Sequence, residues 1–449
     1  MKTKKQTIAN WSNYPVASAN IFNPENGIEC QNIIDNHPPS IPRGLGRSYG
    51  DASLGDNVIA TNRLNCFLHF DKDNGILKAE SGVSLSEILD VCVPAGWFLP
   101  VTPGTKYVTL GGAVAADVHG KNHHKEGSFR DFVQEIEILT ACQELITCSS
   151  QQNPSVFEAT CGGMGLTGII LNVTIKLKKI ETSRIVQYNY KARNLDEAFR
   201  LFEQNIDATY SVAWSDCLAK GKNLGKSILM TGEHAKVDDL PAKEQQNPLK
   251  VFKPSRKNMP FFWPSRMLNA WSVAAFNKLY YWKNKGAGKN IVPYEPYFYP
   301  LDAIKNWNRM YGKNGFVQYQ FVLPTEESYE GIKKVLEKVS RDGTASFLVV
   351  LKKMGKGHGW LSFPLEGYTL ALDFPVSQRT FRLLEKLDEI VEQHKGRIYL
   401  AKDARMKPDF FQKSYSELEK FQNFKNENDP DGKFASHLAQ RLKIQNNLL

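Results

Sequence analysis

At 449 residues the chain is longer than one ordinary hydrophobic core serves, and division into two or three domains is expected. Hydrophobic residues at 42% and charged residues at 23% describe a soluble globular protein; no apolar run is long enough to span a bilayer, and the basic N-terminus lacks the apolar stretch of a secretory signal. Seven scattered cysteines without a CxxC pair exclude a disulfide scaffold and fit reduced thiols in a cytoplasmic setting, while the net charge of +10 leaves nucleic acid, an anionic membrane, a phosphorylated substrate or a plain basic surface open.

Residues 20–42 are polar and end in HPPSIPRG, where the prolines favour extended backbone. The loop RGLGRSYGDAS follows from Arg43, and its glycines allow a row of backbone N–H groups to face a phosphate. It is not a dinucleotide fingerprint, because another glycine-bearing loop, DASLGDN, follows where a helix is needed. Short strands are expected at VIAT, CFLHF and GILKAESG, a helix over Leu85–Val93, and extended chain through GWFLPVTPGT.

The stretch VTPGTKYVTLGGAVAADVHGKNHHKEGSF, Val101 to Phe129, stands out next. Its paired Gly111 and Gly112 permit close approach to a flat or charged ligand, and His119, His123 and His124 concentrate proton carriers. The i, i+4 spacing of His119 and His123 would suit a metal on a helix, but the glycine and asparagine between them disfavour one and no carboxylate completes the set. No metal is expected.

Two more strands, FVQEIEILTA and ELITCSS, lead to a helix opening at Asn153-Pro154. Gly163, Gly165 and Gly168 satisfy GxGxxG formally, but with a helix before and the strand IILNVTIKL after, so this reads as a turn lying against a large planar ligand. After Lys179, strands (RIVQYNYKA, YSVAWSD, SILMTG, FVQYQFVLP, SFLVVLKK, YTLALDFP) mix with helices (LDEAFRLFEQNI, SYEGIKKVLEKVSRDG, QRTFRLLEKLDEIVEQHKG), which predicts an α+β domain around an antiparallel sheet. Within it, residues 250–294 carry Lys253, Arg256, Lys257, Arg266, Lys278, Lys283, Lys285 and Lys289 among many aromatics and no acidic residue. An interfacial membrane contact fits that mixture better than single-stranded nucleic acid does; a loop packing its aromatics on the domain is the plain alternative.

The motifs PRGLGRSYGDA, VTPGTKYVTLGGAVAADVHGKNHH and CGGMGLTGII, continued by WNRMYGKNGFVQYQFVLPTEE, YTLALDFP, GRIYLAKDAR and FASHLAQRL, resemble the flavin-linked vanillyl-alcohol-oxidase superfamily over nearly the whole chain. HGKNHH and YLAKDAR are the most specific of them. The resemblance implies an α+β protein with a two-part FAD-binding domain, 1–182 and 397–449, around an inserted substrate domain, 183–396, of antiparallel sheet flanked by helices, with the basic and aromatic loop at 250–294. It implies that Gly44, Leu45, Gly46, Arg47, Ser48, Tyr49 and Gly50 wrap the FAD pyrophosphate. Gly104, Thr109, Gly111, Gly112, Asp117, Val118, His119, Ile170 and Tyr399 would line the rest of the cofactor. Superfamily members that tether FAD use a histidine where this chain has Arg47, so non-covalent FAD is expected.

The reaction implied is oxidation of the 2-hydroxyl of a polyprenyl-phosphoryl pentose to a 2-keto sugar, the first half of a 2′-epimerisation in cell-wall or glycolipid biosynthesis. Lys402 is the leading catalytic residue, with Tyr49 and His119 as candidate proton acceptors, and Gln318, Gln320, Lys352 and Lys402 facing the substrate. An NAD(P)-dependent short-chain reductase is the implied partner, and the implied location is cytoplasmic with peripheral contact on the inner membrane. Ala371 stands where the pattern has a cysteine, and Thr369 and Met354 also depart from it. The alternatives are an oxidase of another sugar or alditol, or a membrane- or nucleic-acid-binding protein on a degenerate flavin fold; the intact loop glycines and Lys402 argue against degeneration.

Overall fold

The computed structural model describes residues 5–252, 255–264, 270–284, 286, 288–344, 346 and 348–445. Lys253, Arg266 and Lys285 of the basic segment lie outside the described residues.

Among the described residues the N-terminal part contains two larger sheets and a two-stranded pairing of Trp97–Phe98 with Lys178–Lys179. A four-stranded sheet orders Lys5–Ala9, Val16–Phe22, Asn57–Ala60 and Ser40–Arg43. A five-stranded antiparallel sheet orders Phe67–Asp71, Ile76–Glu80, Ile169–Lys176, Val133–Leu139 and Leu145–Cys148. The helix expected from Leu85 forms over Leu85–Cys92, where Ser84 and Glu87 close a reciprocal capping box. A helix not anticipated from the sequence covers Leu110–Ala115. Its two glycines are poor helix formers, but Thr109 caps Gly112 N–H at 3.2 Å, and Gly111 packs so tightly on Ser81 that a Cβ would sit 2.7 Å from the serine Cβ. Packing therefore outweighs propensity.

The inserted part is organised on an eight-stranded antiparallel sheet: Asn290–Pro293, Arg184–Ala192, Ser227–His234, Tyr210–Ser215, Val349–Met354, Gly367–Pro375, Phe316–Pro324 and Arg397–Ile398. The last strand pairs with Phe321 and Val322, so a boundary at 396/397 cuts through a sheet: the C-terminal segment begins as an edge strand of the insert. Thr325–Asp342 and Gln378–Gln393 cover one face, burying Ile332, Val335, Leu383 and Leu387 against Val317, Phe321, Leu370 and Leu372. Side chains alternate faces along a strand, so Gln318 and Gln320 on one strand, and Thr369, Ala371 and Asp373 on its partner, lie together on the opposite face. That face meets the N-terminal part.

Residues 250–294 are not simply a loop. They contain the helix Ala270–Lys283, and the short strand Lys257–Asn258 pairs in parallel with Ile304–Lys305. The C-terminal helices Pro408–Ser414, Leu418–Asn428 and His437–Leu442 bury Phe411, Phe421 and Leu438 in a core shared with Ile41 and Val58. The two ends of the chain are thereby welded together.

Candidate active site

The inward face of the eight-stranded sheet closes a cavity against the N-terminal part. Gln318, Gln320, Val350, Lys352 and Ala371 form its sheet wall; the loop from Arg43 to Tyr49, residues 103–105, the helix Leu110–Ala115 and His119 form the other; and Tyr399 and Lys402 close one side. Residues more than 300 positions apart in sequence thus converge.

Lys402 follows the edge strand in a turn closed by its own N–H to the Tyr399 carbonyl, 2.9 Å. The turn is fastened from below. Tyr49 N–H donates to the Ala401 carbonyl at 2.8 Å, and Arg441 bridges Asp403 and Asp51 at 2.8 Å each. Gly50 fits because a Cβ would lie 1.5 Å from the Asp403 carbonyl oxygen. The Lys402 ammonium lies 3.5 Å from the centroid of the Tyr49 ring and has no carboxylate within ion-pair distance among the described residues. Burial holds its pKa down to about 7, with Asp373 opposing and Lys352 reinforcing. Burial likewise lowers Lys352 to about 8, and it pushes the Tyr49 phenol well above its ordinary value, with Asp373 adding to the effect.

Asp373 was not legible as a site residue. It is fully buried beside Lys402, accepts from Gln318 Nε2 at 2.6 Å and from Tyr311 Oη at 3.5 Å, and burial raises it to about 7. A carboxylate inside the apolar run YTLALDFP was the available signal.

His119 is packed between Tyr399 and Phe363, with ring centroids 5.2 and 5.3 Å away. Gln320 Nε2 donates to its Nε2 at 3.0 Å, which places the ring proton on Nδ1, a buried atom without a protein partner. Burial, with Lys352, His123 and Lys402 adding, holds His119 well below its ordinary pKa, so it is a neutral donor rather than a strong base. His123 accepts from Gly355 N–H at 3.0 Å and the His124 ring contacts the Ala208 carbonyl at 2.9 Å; both are ties between parts of the fold. Among the described residues no group of three or more His, Cys, Asp or Glu could hold a metal ion.

The residues present fit FAD. The backbone N–H groups of Leu45, Gly46, Arg47 and Ser48 donate to no protein acceptor among the described residues, leaving a row of donors for a pyrophosphate. Ser81 Oγ and His119 Nδ1 are buried at the cavity without partners and await polar atoms. Two expected cofactor residues do not reach the cavity. Gly50 is spent on packing against Asp403, as above. Asp117 is fully buried elsewhere, accepting from Arg130 N–H at 3.1 Å and from Ser128 and Ser362 hydroxyls, with burial raising it to about 6. It holds the left-handed turn (φ 38°) that aims His119 inward. Trp11, Ser81, Met164, Asp302 and Trp307 line the cavity without having been singled out, because no local motif marks them.

Residues 23–149 match the model of an FAD binding domain, and residues 368–442 match that of D-arabinono-1,4-lactone oxidase. A solved xylooligosaccharide oxidase from Myceliophthora thermophila C1 superposes with a TM-score of 0.67 over 93% of this chain and 90% of its own, at 14% identity, so the two share a fold. The chain is an FAD-dependent oxidoreductase acting on CH–OH groups. It is 38% identical to the decaprenylphosphoryl-β-D-ribose oxidase of Mycolicibacterium smegmatis over 90% of this chain and 89% of that protein, and 31% identical to an uncharacterized Streptomyces coelicolor protein over 81% and 100%. The chain belongs to the decaprenylphosphoryl-β-D-ribose oxidase family.

Proposed function

We propose that the chain oxidises the 2-hydroxyl of a polyprenyl-phosphoryl pentose to the 2-keto sugar. The observation that carries this reading is the family relationship, supported by the half-buried Lys402 and Lys352 facing one cavity with the amides of Gln318 and Gln320 between them. Bound FAD supplies the acceptor for the hydride leaving the sugar carbon. Leu45, Gly46, Arg47 and Ser48 would hold its pyrophosphate through their amides, and Ser81, His119 and Tyr399 would flank the rest.

The hydroxyl proton goes to the Lys402 amine. Tyr49 is a poor acceptor because its phenol stays protonated, and His119 Nε2 is already taken by the Gln320 amide. Lys402 is short of hydrogen-bond partners, sits on the face of the Tyr49 ring, and is held near neutrality by burial. Gln318 and Gln320, each fixed by a side-chain partner, orient the sugar hydroxyls, and His119 donates from Nδ1. Ala371 leaves the sheet wall with a methyl group at this point.

The product carries a ketone that a reductase of the NAD(P)-dependent short-chain type would reduce from the other face, completing an epimerisation. Borodeuteride trapping of the product tests the chemistry: deuterium on the former carbinol carbon at position 2 supports it, and label at any other carbon overturns it.

Peripheral membrane contact belongs to the same proposal. On the helix Ala270–Lys283, Val273 and Asn277 are buried, Asn277 donates to Asp216 at 2.7 Å, and Tyr280 packs on Trp214 at 4.9 Å. Trp271, Leu279 and Trp282 follow the opposite stripe, with Trp271 87% and Trp282 75% exposed. Exposed Trp and Leu beside Lys278 and Lys283 match the chemistry of an anionic bilayer surface. No helix among the described residues is long and apolar enough to cross a membrane.

A further inference from the structure

Three hydrogen-bond donors at the rim of the cavity lack an acceptor. The Arg47 guanidinium lies 4.0 Å from the Trp11 ring centroid and 5.4 Å from that of Tyr107. Arg256, reaching in from the insert, lies 4.8 Å from the same Tyr107 centroid. Neither guanidinium has a hydrogen-bond or ion-pair partner among the described residues, and Tyr107 Oη is buried with none. The nearby carboxylate, Asp302, is engaged by Thr105 Oγ1 at 2.8 Å and Lys106 N–H at 3.0 Å. Two planar five-donor forks on one aromatic ring make a site short of an anion with several oxygens.

We propose that Arg47 and Arg256, set against Tyr107, seat the phosphoryl group of the lipid-linked substrate at the cavity rim. The proposal rests on the polyprenyl-phosphoryl reading above and adds the place of its phosphate. Three observations support it. Arg47 and Trp11 line the cavity, whereas Tyr107 and Arg256 stand just outside, so an anion between the arginines is at the entrance. Arg47 and Lys402 both neighbour Tyr49, the first acting on its phenol and the second lying on its ring. A pentose carries its phosphoryl oxygen and its 2-hydroxyl on adjacent carbons, so one sugar ring can meet both groups.

The third is the strap that carries Arg256. Lys257–Asn258 pairs with Ile304–Lys305, Met259 N–H donates to the Lys305 carbonyl at 2.9 Å, and Trp263 N–H donates to the Arg309 carbonyl at 3.0 Å. On this fastened segment Phe261 is 62% exposed, with Phe262 beside it, offering an apolar surface that follows Arg256 along the chain. A phosphate with a long apolar tail fits that order of groups: cation pair first, aromatics next. The other possible source of a phosphoryl group, the cofactor pyrophosphate, has the free amides of residues 45–48 to receive it.

The test is calorimetric titration of the FAD-loaded protein with farnesyl phosphate and with farnesol, in wild type, Arg256→Gln and Arg256→Lys. Farnesyl phosphate carries no sugar, so its binding is read independently of whether any sugar reduces the flavin. Arg256→Gln is expected to weaken farnesyl phosphate about tenfold, the size of one charge-assisted hydrogen bond. Farnesol affinity and FAD stoichiometry should not change, and Arg256→Lys should recover part of the loss. With a turned-over substrate the same variant should raise KM with little change in kcat. Unchanged farnesyl phosphate affinity in Arg256→Gln would overturn the proposal, leaving a solvated surface arginine. Loss of FAD from that variant would also overturn it, by assigning the site to the cofactor.

Discussion

Lys402 stands with its ammonium nitrogen 3.5 Å from the centroid of the Tyr49 ring, and each residue is held by the segment of the other: Tyr49 N–H donates to the carbonyl of Ala401, one residue before the lysine. The ring gives the lysine an attractive face without offering an acceptor that would fix its proton. Removing the amine and removing the phenolic hydroxyl should therefore have unequal effects. Lys402→Met should lower kcat at least about a hundredfold, the lower end of general-base contributions, with FAD still bound. Tyr49→Phe keeps the ring and should stay within a few-fold of wild type. Steady-state kinetics on the two variants check this; a large loss in Tyr49→Phe would transfer the base role to the phenol.

The pH dependence follows from the same pair. Burial lowers Lys402 to about 7, so its ammonium predominates below that pH and the accepting amine above it. Single-turnover flavin reduction should rise between pH 6 and 8. Asp373, raised to about 7 by burial, titrates in the same window, and the limb belongs to both groups. The ionised Asp373 favours the Lys402 proton, so Asp373→Asn should move the limb to lower pH. A limb that moved to higher pH would contradict the electrostatic assignment. His119→Asn should lower the rate but leave the limb in place.

Arg47 offers no imidazole for a covalent flavin link, and its guanidinium lies over the Trp11 ring. Acid precipitation should release the yellow chromophore into the supernatant. Flavin retained on the washed, denatured protein would contradict this.

Gly50 has a structural role that its cofactor-loop position concealed. Gly50→Ala forces a Cβ against the Asp403 carbonyl oxygen, and relief requires the Lys402 turn to shift. A loss of about 1–3 kcal/mol in chemical denaturation is expected, together with reduced turnover. A variant as stable and active as wild type would show that the turn is not braced there.

Much of this was readable from the chain. The sheet strands of the insert announced themselves as apolar runs bounded by turns, and YLAKDAR marked Lys402 because its residue types are unusual together. Three features were hidden for physical reasons. The helix Leu110–Ala115 contradicts the propensity of its glycines: Gly111 is required because Ser81 leaves no room for a side chain, and Thr109 caps the first turn. Asp117 sits beside cofactor-lining residues but points into a buried network of Ser128, Arg130 and Ser362, a direction that spacing does not encode. Asp373 becomes a site residue only when two antiparallel strands place it beside Gln318, with Lys402 brought in from the C-terminal segment.

The exposed stripe of the helix Ala270–Lys283 makes its own prediction. Wild-type protein should co-sediment with vesicles containing phosphatidylglycerol and less with purely zwitterionic ones. Trp282→Ser with Leu279→Ser should reduce the bound fraction several-fold without altering flavin content. Equal sedimentation of the double variant and wild type would contradict a membrane role for this face.

The central claim is most directly tested by mixing the FAD-loaded protein anaerobically with polyprenyl-phosphoryl pentoses and following flavin absorbance in a stopped-flow instrument. A polyprenyl-phosphoryl ribose should bleach the flavin band in a single turnover, whereas its 2-deoxy analogue should not. Bleaching by the 2-deoxy analogue at a similar rate, or no bleaching by any lipid-linked pentose while a free sugar or alditol bleaches the band, would contradict it.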